Sequence, residues 1–452
     1  MKKSRTIRWA ALAATTAFAA ATLAGCAGGG GGTGGGAVDP ESLEGQTITY
    51  WASNQGSSVS HDEEVLGASI ERFTEETGVE VELEVIPWSD LLNRILGAVS
   101  SGEGPDVLNI GNTWAVSMEA TGAFMEWDDA AMEKVGGADR FTEAALATGG
   151  SEGATPTSLP LYSLAYAMYY NKAMFAEAGI EAPPATWDEF LEAGEKLTKD
   201  TDGDGEIDQW GHALAGQRTS NNAHATFILG KQHGGDLYDA DGNPDFTNDA
   251  IVAAVNDWVQ LMGENGIVSP SNAELDDGSL MAQEVANGRA AMMFDQAAGS
   301  TLESLDFSDW GVAPIPMQSA DATGEAATQS HVAGINIAVF ENSDSKDAAI
   351  AFVNHLLSAD EQEVLGAEFG ALPPVTDALD AEAFNTPEME VLKGVLADHA
   401  QPMPLFASES QAEELIGAAV AELFATIAQG GEVTEDDVRA ALEDAQAQMP
   451  AA

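Results

Sequence analysis

The stretch KDTDGDGEIDQWG, residues 199–211, sets Asp200, Asp202, Asp204, Gly205 and Asp208 at positions 1, 3, 5, 6 and 9 of a calcium loop, with Glu206 among them. Carboxylate oxygens at that spacing suit a hard cation. Two features depart from an EF-hand: position 12 is Gly211 instead of a bidentate Glu, and a helix precedes the loop while a strand or loop follows it. Four carboxylates, waters and backbone oxygens could still hold calcium. The alternative is a Gly/Asp turn that meets no metal. Structural calcium is therefore the one cofactor expected, and none is required.

Other chemistries find less support. The seven histidines form no HExxH, and the single cysteine excludes Cys/His zinc pairing. There is no GxSxG elbow and no phosphate-cradling GxGxxG or GxxxxGK[ST] at a strand end. A glycosidase would need one carboxyl kept protonated beside an ionised partner. In this chain the acids mostly occupy polar helix faces, as Glu63, Glu64, Glu71, Glu75 and Glu76 do. What remains is a polar and aromatic set. Trp51, Trp88, Trp114, Tyr162, Tyr166 and Trp210 offer rings, and Asn54, Gln55, Asn112, Asn222, Asp295 and Gln296 offer donors and acceptors. Sugars present C–H faces to rings and hydroxyls to such groups. His224 and His331 fall in loop or strand-edge settings and could face a ligand, whereas His355 lies inside a helix. Trp187 and Trp258 fall in helical apolar stripes and belong to the core.

The elements that must position these residues alternate. TITYW (47–51) is a strand; DEEVLGASIERFTEETG follows with Val65, Leu66, Ser69, Ile70 and Phe73 on one helical face and Gly78 as its stop. VEVELEVI (79–86) alternates apolar and acidic residues, Leu91 to Val99 gives another helical stripe, and DVLNI (106–110) is a third strand. The pattern βαβαβ predicts α/β architecture with an open parallel sheet. Ligands of such sheets bind beyond the strands' carboxyl ends, here ASNQGSS (52–58), PWSD (87–90) and GNTW (111–114). Further on, Thr186 with Glu189 and Ser358 with Glu361 are capping boxes. GVAPIP (311–316) and GINIAVF (334–340) are strands, and two helices close the chain near 411–429 and 434–447.

The ends and the charge bound the setting. Lys2, Lys3, Arg5 and Arg8 precede an apolar run that closes with LAGC, a secretory signal over residues 1–25. Without it the chain carries 13 basic against 74 acidic residues, which excludes nucleic acid as a partner. At 44% hydrophobic residues with nine tryptophans it still has the makings of folded cores. So acidic a surface suits a salty medium, where self-repulsion is screened. Cys26, the only cysteine, cannot form an internal disulfide. The Gly-rich tract 27–37 suits a flexible tether.

LAGC resembles the lipobox of bacterial lipoproteins, which implies a lipidated Cys26 at the start of the mature chain. The segments SSGEGPDVLNIGNTW, YYNKAMFAEAGIEAPPATWDEF, VANGRAAMMFDQ, WGVAPIPM and GINIAVFENSDSKDAAIAFVNHLLSADEQ resemble the extracellular solute-binding lipoproteins of carbohydrate ABC transporters, the group that includes maltodextrin-binding proteins. The resemblance runs from about residue 46 to the end. It implies two α/β lobes with the ligand in the cleft between them and hinge closure around it. Residues 46–164 with 310–372 would form the first lobe and 165–309 with 373–449 the second, after a tether over 26–45. Carried over by motif, the ligand contacts are Asn54, Gln55, Asn112, Thr113, Trp114, Ser163, Tyr166, Asn222, His224, Asp295 and Gln296; Trp88 and His331 join them from the residue reading. Leu164, where maltodextrin binders carry an acid before YYNK, and Ala297 and Ala298, where they carry a tryptophan, point away from a maltodextrin ligand. The implied protein is a monomeric, non-enzymatic receptor, anchored outside the cytoplasmic membrane, that delivers a sugar or polyol to a permease.

Overall fold

The computed structural model describes residues 43–450. The signal peptide, Cys26 and the tether up to residue 42 lie outside the described residues. In chain order the strands are β1 (Thr47–Ser53), β2 (Glu80–Ile86), β3 (Val107–Gly111), β4 (Leu159–Leu164), β5 (Ala167–Asn171), β6 (Trp210–Ala213), β7 (Ala290–Asp295), β8 (Trp310–Ala313), β9 (Ser330–His331), β10 (Ala333–Val339) and β11 (Ala400–Gln401).

The first three strands behave as their pattern predicts. Helices Val59–Thr77 and Trp88–Ser101 connect them, and β1 pairs in parallel with both β2 and β3. Gly78 ends the first helix at φ 72°, a left-handed conformation that glycine adopts without a Cβ clash. β2 is an edge strand whose Glu80, Glu82 and Glu84 face solvent, and charge there discourages pairing with other chains. The sheet is not all parallel, however. Its order is β2-β1-β3-β10-β4, and β10 runs antiparallel to both neighbours. The strand enters from the other lobe instead of through a helical crossover on this sheet, so nothing forces a parallel direction.

A second sheet has the order β6-β7-β5-β8, with β5 antiparallel to its two neighbours and β6 parallel to β7. Here the expected return to the first lobe near Trp310 needs correction. Trp310 pairs with Asn171, so β8 is an edge of the second sheet, and the chain re-enters the first sheet only at Ala333. The lobes are joined through Ala165 and Tyr166, between β4 and β5, through Val332, between β9 and β10, and a third time beyond Leu372, which bridges to Ser163 before Phe384 and Leu392 pack on the second sheet.

Each sheet is covered on both faces. Tyr50, Phe73, Leu159 and Phe352 belong to one cluster on the first sheet, and Ile95, Leu108, Ile110 and Trp114 to the opposite one. On the second sheet, Phe190, Phe227, Trp258 and Phe294 lie on one face, and Tyr169, Met281, Met293 and Leu392 on the other. Along β7, Met292, Met293 and Phe294 fall alternately in these clusters, as a strand's period of two requires. Each large apolar side chain so buried adds about 1.5–3 kcal/mol of gross stabilisation. Trp187 and Trp258 are buried as their helical stripes predict. The Thr186–Glu189 capping box closes on both sides. The Ser358–Glu361 pair closes on one: Ser358 Oγ accepts from the Glu361 amide, but the Glu361 carboxylate accepts from Ser69 and Arg72 of the first helix.

Candidate ligand-binding cleft

The cleft is built from strand ends. On the first-lobe side, the loop after β1 is held by Asp62, from the first turn of the following helix. Gly56 N–H donates to its Oδ1 at 2.8 Å, Gln55 N–H at 3.3 Å, and Asn54 Nδ2 donates to its Oδ2. Burial pushes the Asp62 carboxyl up to about 6, against the pull of those hydrogen bonds. After β2 comes Trp88 and after β3 Trp114; their rings meet edge to face with centroids 5.7 Å apart. Asn112 Nδ2 donates to Val332 O at 2.7 Å, fastening the β3 end to the hinge.

On the second-lobe side, β7 ends at Asp295 and Gln296, and Arg218 precedes the Thr219–Gln232 helix. Gly278 leaves room for two charged groups: a Cβ there would lie 2.8 Å from Asp295 Oδ2 and 3.0 Å from Arg218 Nη1. Burial raises the Asp295 carboxyl, outweighing the nearby Arg218 guanidinium. Among the described residues that guanidinium makes no ion pair and no hydrogen bond, so its donors are available to the cleft.

The hinge closes the base. Tyr166 Oη donates to Asn221 Oδ1 at 3.2 Å and lies 3.0 Å from His224 Nδ1. The His331 ring stands 4.2 Å from that of His224, and neither of its nitrogens has a hydrogen-bond partner. Burial, with His224 beside it, pushes His331 well below its ordinary range, so the ring is neutral and brings one donor and one acceptor. Glu413, on the Glu409–Ala428 helix, joins the walls. It accepts from Thr113 Oγ1 at 2.6 Å and Trp114 Nε1 at 3.3 Å, and lies 3.5 Å from His224 Nε2. Burial would raise its carboxyl, but His224, Thr113 and Trp114 together hold it below the usual glutamate range.

Residues 58–363 match the family model described as bacterial extracellular solute-binding protein. The chain belongs to that family. Among its relatives, a probable amino-acid ABC transporter periplasmic-binding protein of Sinorhizobium fredii is 27% identical over 388 residues, covering 82% of this chain and 83% of the relative. A diacetylchitobiose-binding protein of Streptomyces coelicolor is 24% identical over 341 residues, 74% of each chain. In structure, the chain is similar to an ABC transporter solute-binding protein of Thermotoga lettingae bound with α-D-tagatose (TM-score 0.77, 21% identity, 89% of this chain and 99% of the other). That likeness is one of two-lobe fold.

In this solute-binding protein, eleven of the thirteen expected contact residues line one cleft: Asn54, Gln55, Trp88, Asn112, Thr113, Trp114, Tyr166, His224, Asp295, Gln296 and His331. Two do not. Ser163 is buried in β4, exchanging backbone hydrogen bonds with Leu372. Asn222 is wholly buried, donating to Gly216 O and accepting from Trp258 Nε1. One residue is 100° of helix, and Asn221, on the other side of that step, lines the cleft instead. Of the other rings, Trp51 lies beneath the Arg94 guanidinium and Tyr162 is core. Asp62, Ser220, Asp277, Ser279 and Glu413 were not foreseen. Asp277 had a local signal as the N-cap before Ser279; Glu413 had none.

The Asp-rich loop lies apart from the cleft. Carboxylate oxygens of Asp200, Asp202 and Asp208 come within 4.8 Å of one another. Asp204 and Glu206 are not in that group, and Asp204 Oδ1 accepts from the Glu206 amide. Gly211 has a packing reason: a Cβ there would lie 2.5 Å from Gly194 O, so β6 meets the Trp187–Leu197 helix too closely for any glutamate at position 12.

Proposed function

We propose that this protein is the lipid-anchored receptor of an ABC importer, capturing a sugar or polyol in the cleft and delivering it to the membrane permease. The observation that carries the ligand class is the pairing of walls. Trp88 and Trp114 supply aromatic surface on one side, facing Asp295, Gln296 and the uncommitted donors of Arg218 on the other. C–H faces and hydroxyls of one molecule are served by the two together. The tagatose and diacetylchitobiose named for two similar proteins belong to the same class. Three connecting segments, at Tyr166, Val332 and Leu372, suit hinge closure around the ligand. The protein does no chemistry and acts as a monomer; Cys26 carries the anchor, and calcium at Asp200, Asp202 and Asp208 is a structural accessory.

A second reading has one observation behind it. Arg218 is a cleft cation with its donors unspent, and an anionic solute such as a glycerol phosphate would engage it. Asp277, Asp295 and Glu413 line the same cleft and oppose a net negative ligand. A thermal-shift screen with neutral sugars, polyols, glycerol phosphates and amino acids separates the readings. A ligand at 100 times its Kd adds about 2.7 kcal/mol to the stability of the folded state. A screen in which neutral sugars and polyols are silent defeats the first reading.

A further inference from the structure

Direct protein–protein bonds cross the seam between the lobes. Trp114 and Met118 belong to a core of the first sheet, with Leu108 and Ile110. Ala412 and Ile416, on the Glu409–Ala428 helix, belong to a core of the second, with Phe227 and Trp258. Where the two meet, Glu413 accepts from the Thr113 hydroxyl and the Trp114 indole, and three residues earlier the Ser410 amide donates to Ser117 Oγ at 3.2 Å. Three hydrogen bonds thus tie the start of one second-lobe helix to residues 113–117 of the first lobe.

The chemistry of this seam favours contact. An amide in the first turn of a helix has no partner within the helix, and Ser117 supplies one from across the seam. Glu413 and Trp114 are 4% and 5% exposed, and hydrogen bonds to a charged acceptor are strongest where water is excluded. Burial alone would raise the Glu413 carboxyl, but His224 from its own lobe, with Thr113 and Trp114 from the other, holds it lowered. All three ties run from protein to protein, so closing them requires no solute.

We infer that the Glu409–Ala428 helix is a lock, closing the lobes through Glu413 and Ser410 without solute and raising the affinity for every solute by one common factor. The first half stands on the seam alone; the second rests on the receptor reading. A solute that requires the closed form binds with its intrinsic Kd divided by the closed fraction, whatever its own chemistry. Glu413 is then a positioning residue acting through that fraction.

The test measures the distance between spin labels on the mature chain without solute. Cys26→Ser removes the only native cysteine, and Asn93→Cys and Asp276→Cys place labels at exposed positions on opposite lobes beside the cleft mouth. The parent should give one short distance. Ser117→Ala should shift the closed-to-open ratio about threefold towards a longer distance, and Ser117→Ala with Glu413→Gln about tenfold, equivalent to about 1.4 kcal/mol. Should the double variant fail to fold, Ser117→Ala alone decides. A long distance in the parent, or variants that leave the distribution unchanged, overturns the lock. Titration calorimetry with D-tagatose, ribitol, diacetylchitobiose and maltotriose tests the second half. Ser117, which does not line the inner cleft, should when changed to Ala raise the Kd of each solute that binds by the same factor. Unequal factors overturn the common effect. If none of the four binds, the second half falls, and the distances still decide the lock.

Discussion

Two groups of carboxylates in this molecule have opposite physics. Asp200, Asp202 and Asp208 stand together on an exposed turn, where backbone N–H groups of Gly205 and Gly203 satisfy Asp200 and lower its carboxyl. Asp62 is buried behind the cleft wall, Glu413 is buried in it and Asp295 is half-buried at its edge, and each is tied to a neighbour that shapes the site. The first group carries the more conspicuous motif and the second borders the candidate cleft. In a chain with 74 acidic residues, desolvation sets these carboxylates apart where spacing does not.

The contrast can be broken most forcefully at Glu413. Removing it as Glu413→Ala leaves the Thr113 hydroxyl and the Trp114 indole without their shared acceptor and His224 without its carboxylate neighbour. That should cost about 3 kcal/mol in urea unfolding and weaken ligand binding. Asp200→Ala should cost far less and leave binding alone; equal losses would erase the distinction.

Asp62 gives a somewhat smaller effect, visible in pH. Its carboxyl titrates near about 6 in the folded state, against roughly 3.9 unfolded, so the folded state binds the extra proton in between. Its contribution to stability should therefore fall as pH rises from about 4 to 6, by on the order of 2–3 kcal/mol. The wild-type stability minus that of Asp62→Asn should decline over that window; a flat difference would refute the assignment. Asp200, with a lowered carboxyl, has the opposite sign: its contribution is present above the unfolded range and lost as pH falls below it.

The smallest effect belongs to calcium. Adding it should raise the melting temperature slightly, and chelation should reverse that, with the Kd for sugar changed less than twofold. A strong dependence of sugar affinity on calcium would join the two carboxylate groups that the structure separates.

How far the site was legible follows from what each residue's signal depended on. Asn54, Gln55, Trp88 and Thr113 were accessible because they follow parallel strands, and a βαβαβ pattern places those ends together. Asn221 and Asn222 differ only by a helical phase, and the start of the helix had to be known within one residue to choose between them. Glu413 follows the same acidic pattern as the solvated glutamates elsewhere; only its helix's approach to Thr113 and Trp114 sets it apart. The strand GINIAVF was plain, but its antiparallel direction was not, since alternation of side chains carries no polarity.

Local chemistry therefore determined the alternating elements, the apolar faces, the caps and the loops that meet at a cleft, because each depends on residues within a few positions of one another. Tertiary structure decided β8's sheet, β10's direction, the link from Glu413 across the cleft and the glycine at position 12 of the Asp-rich loop. Each of those rests on a close approach between segments distant in sequence, where burial and sterics act on partners that no local pattern names.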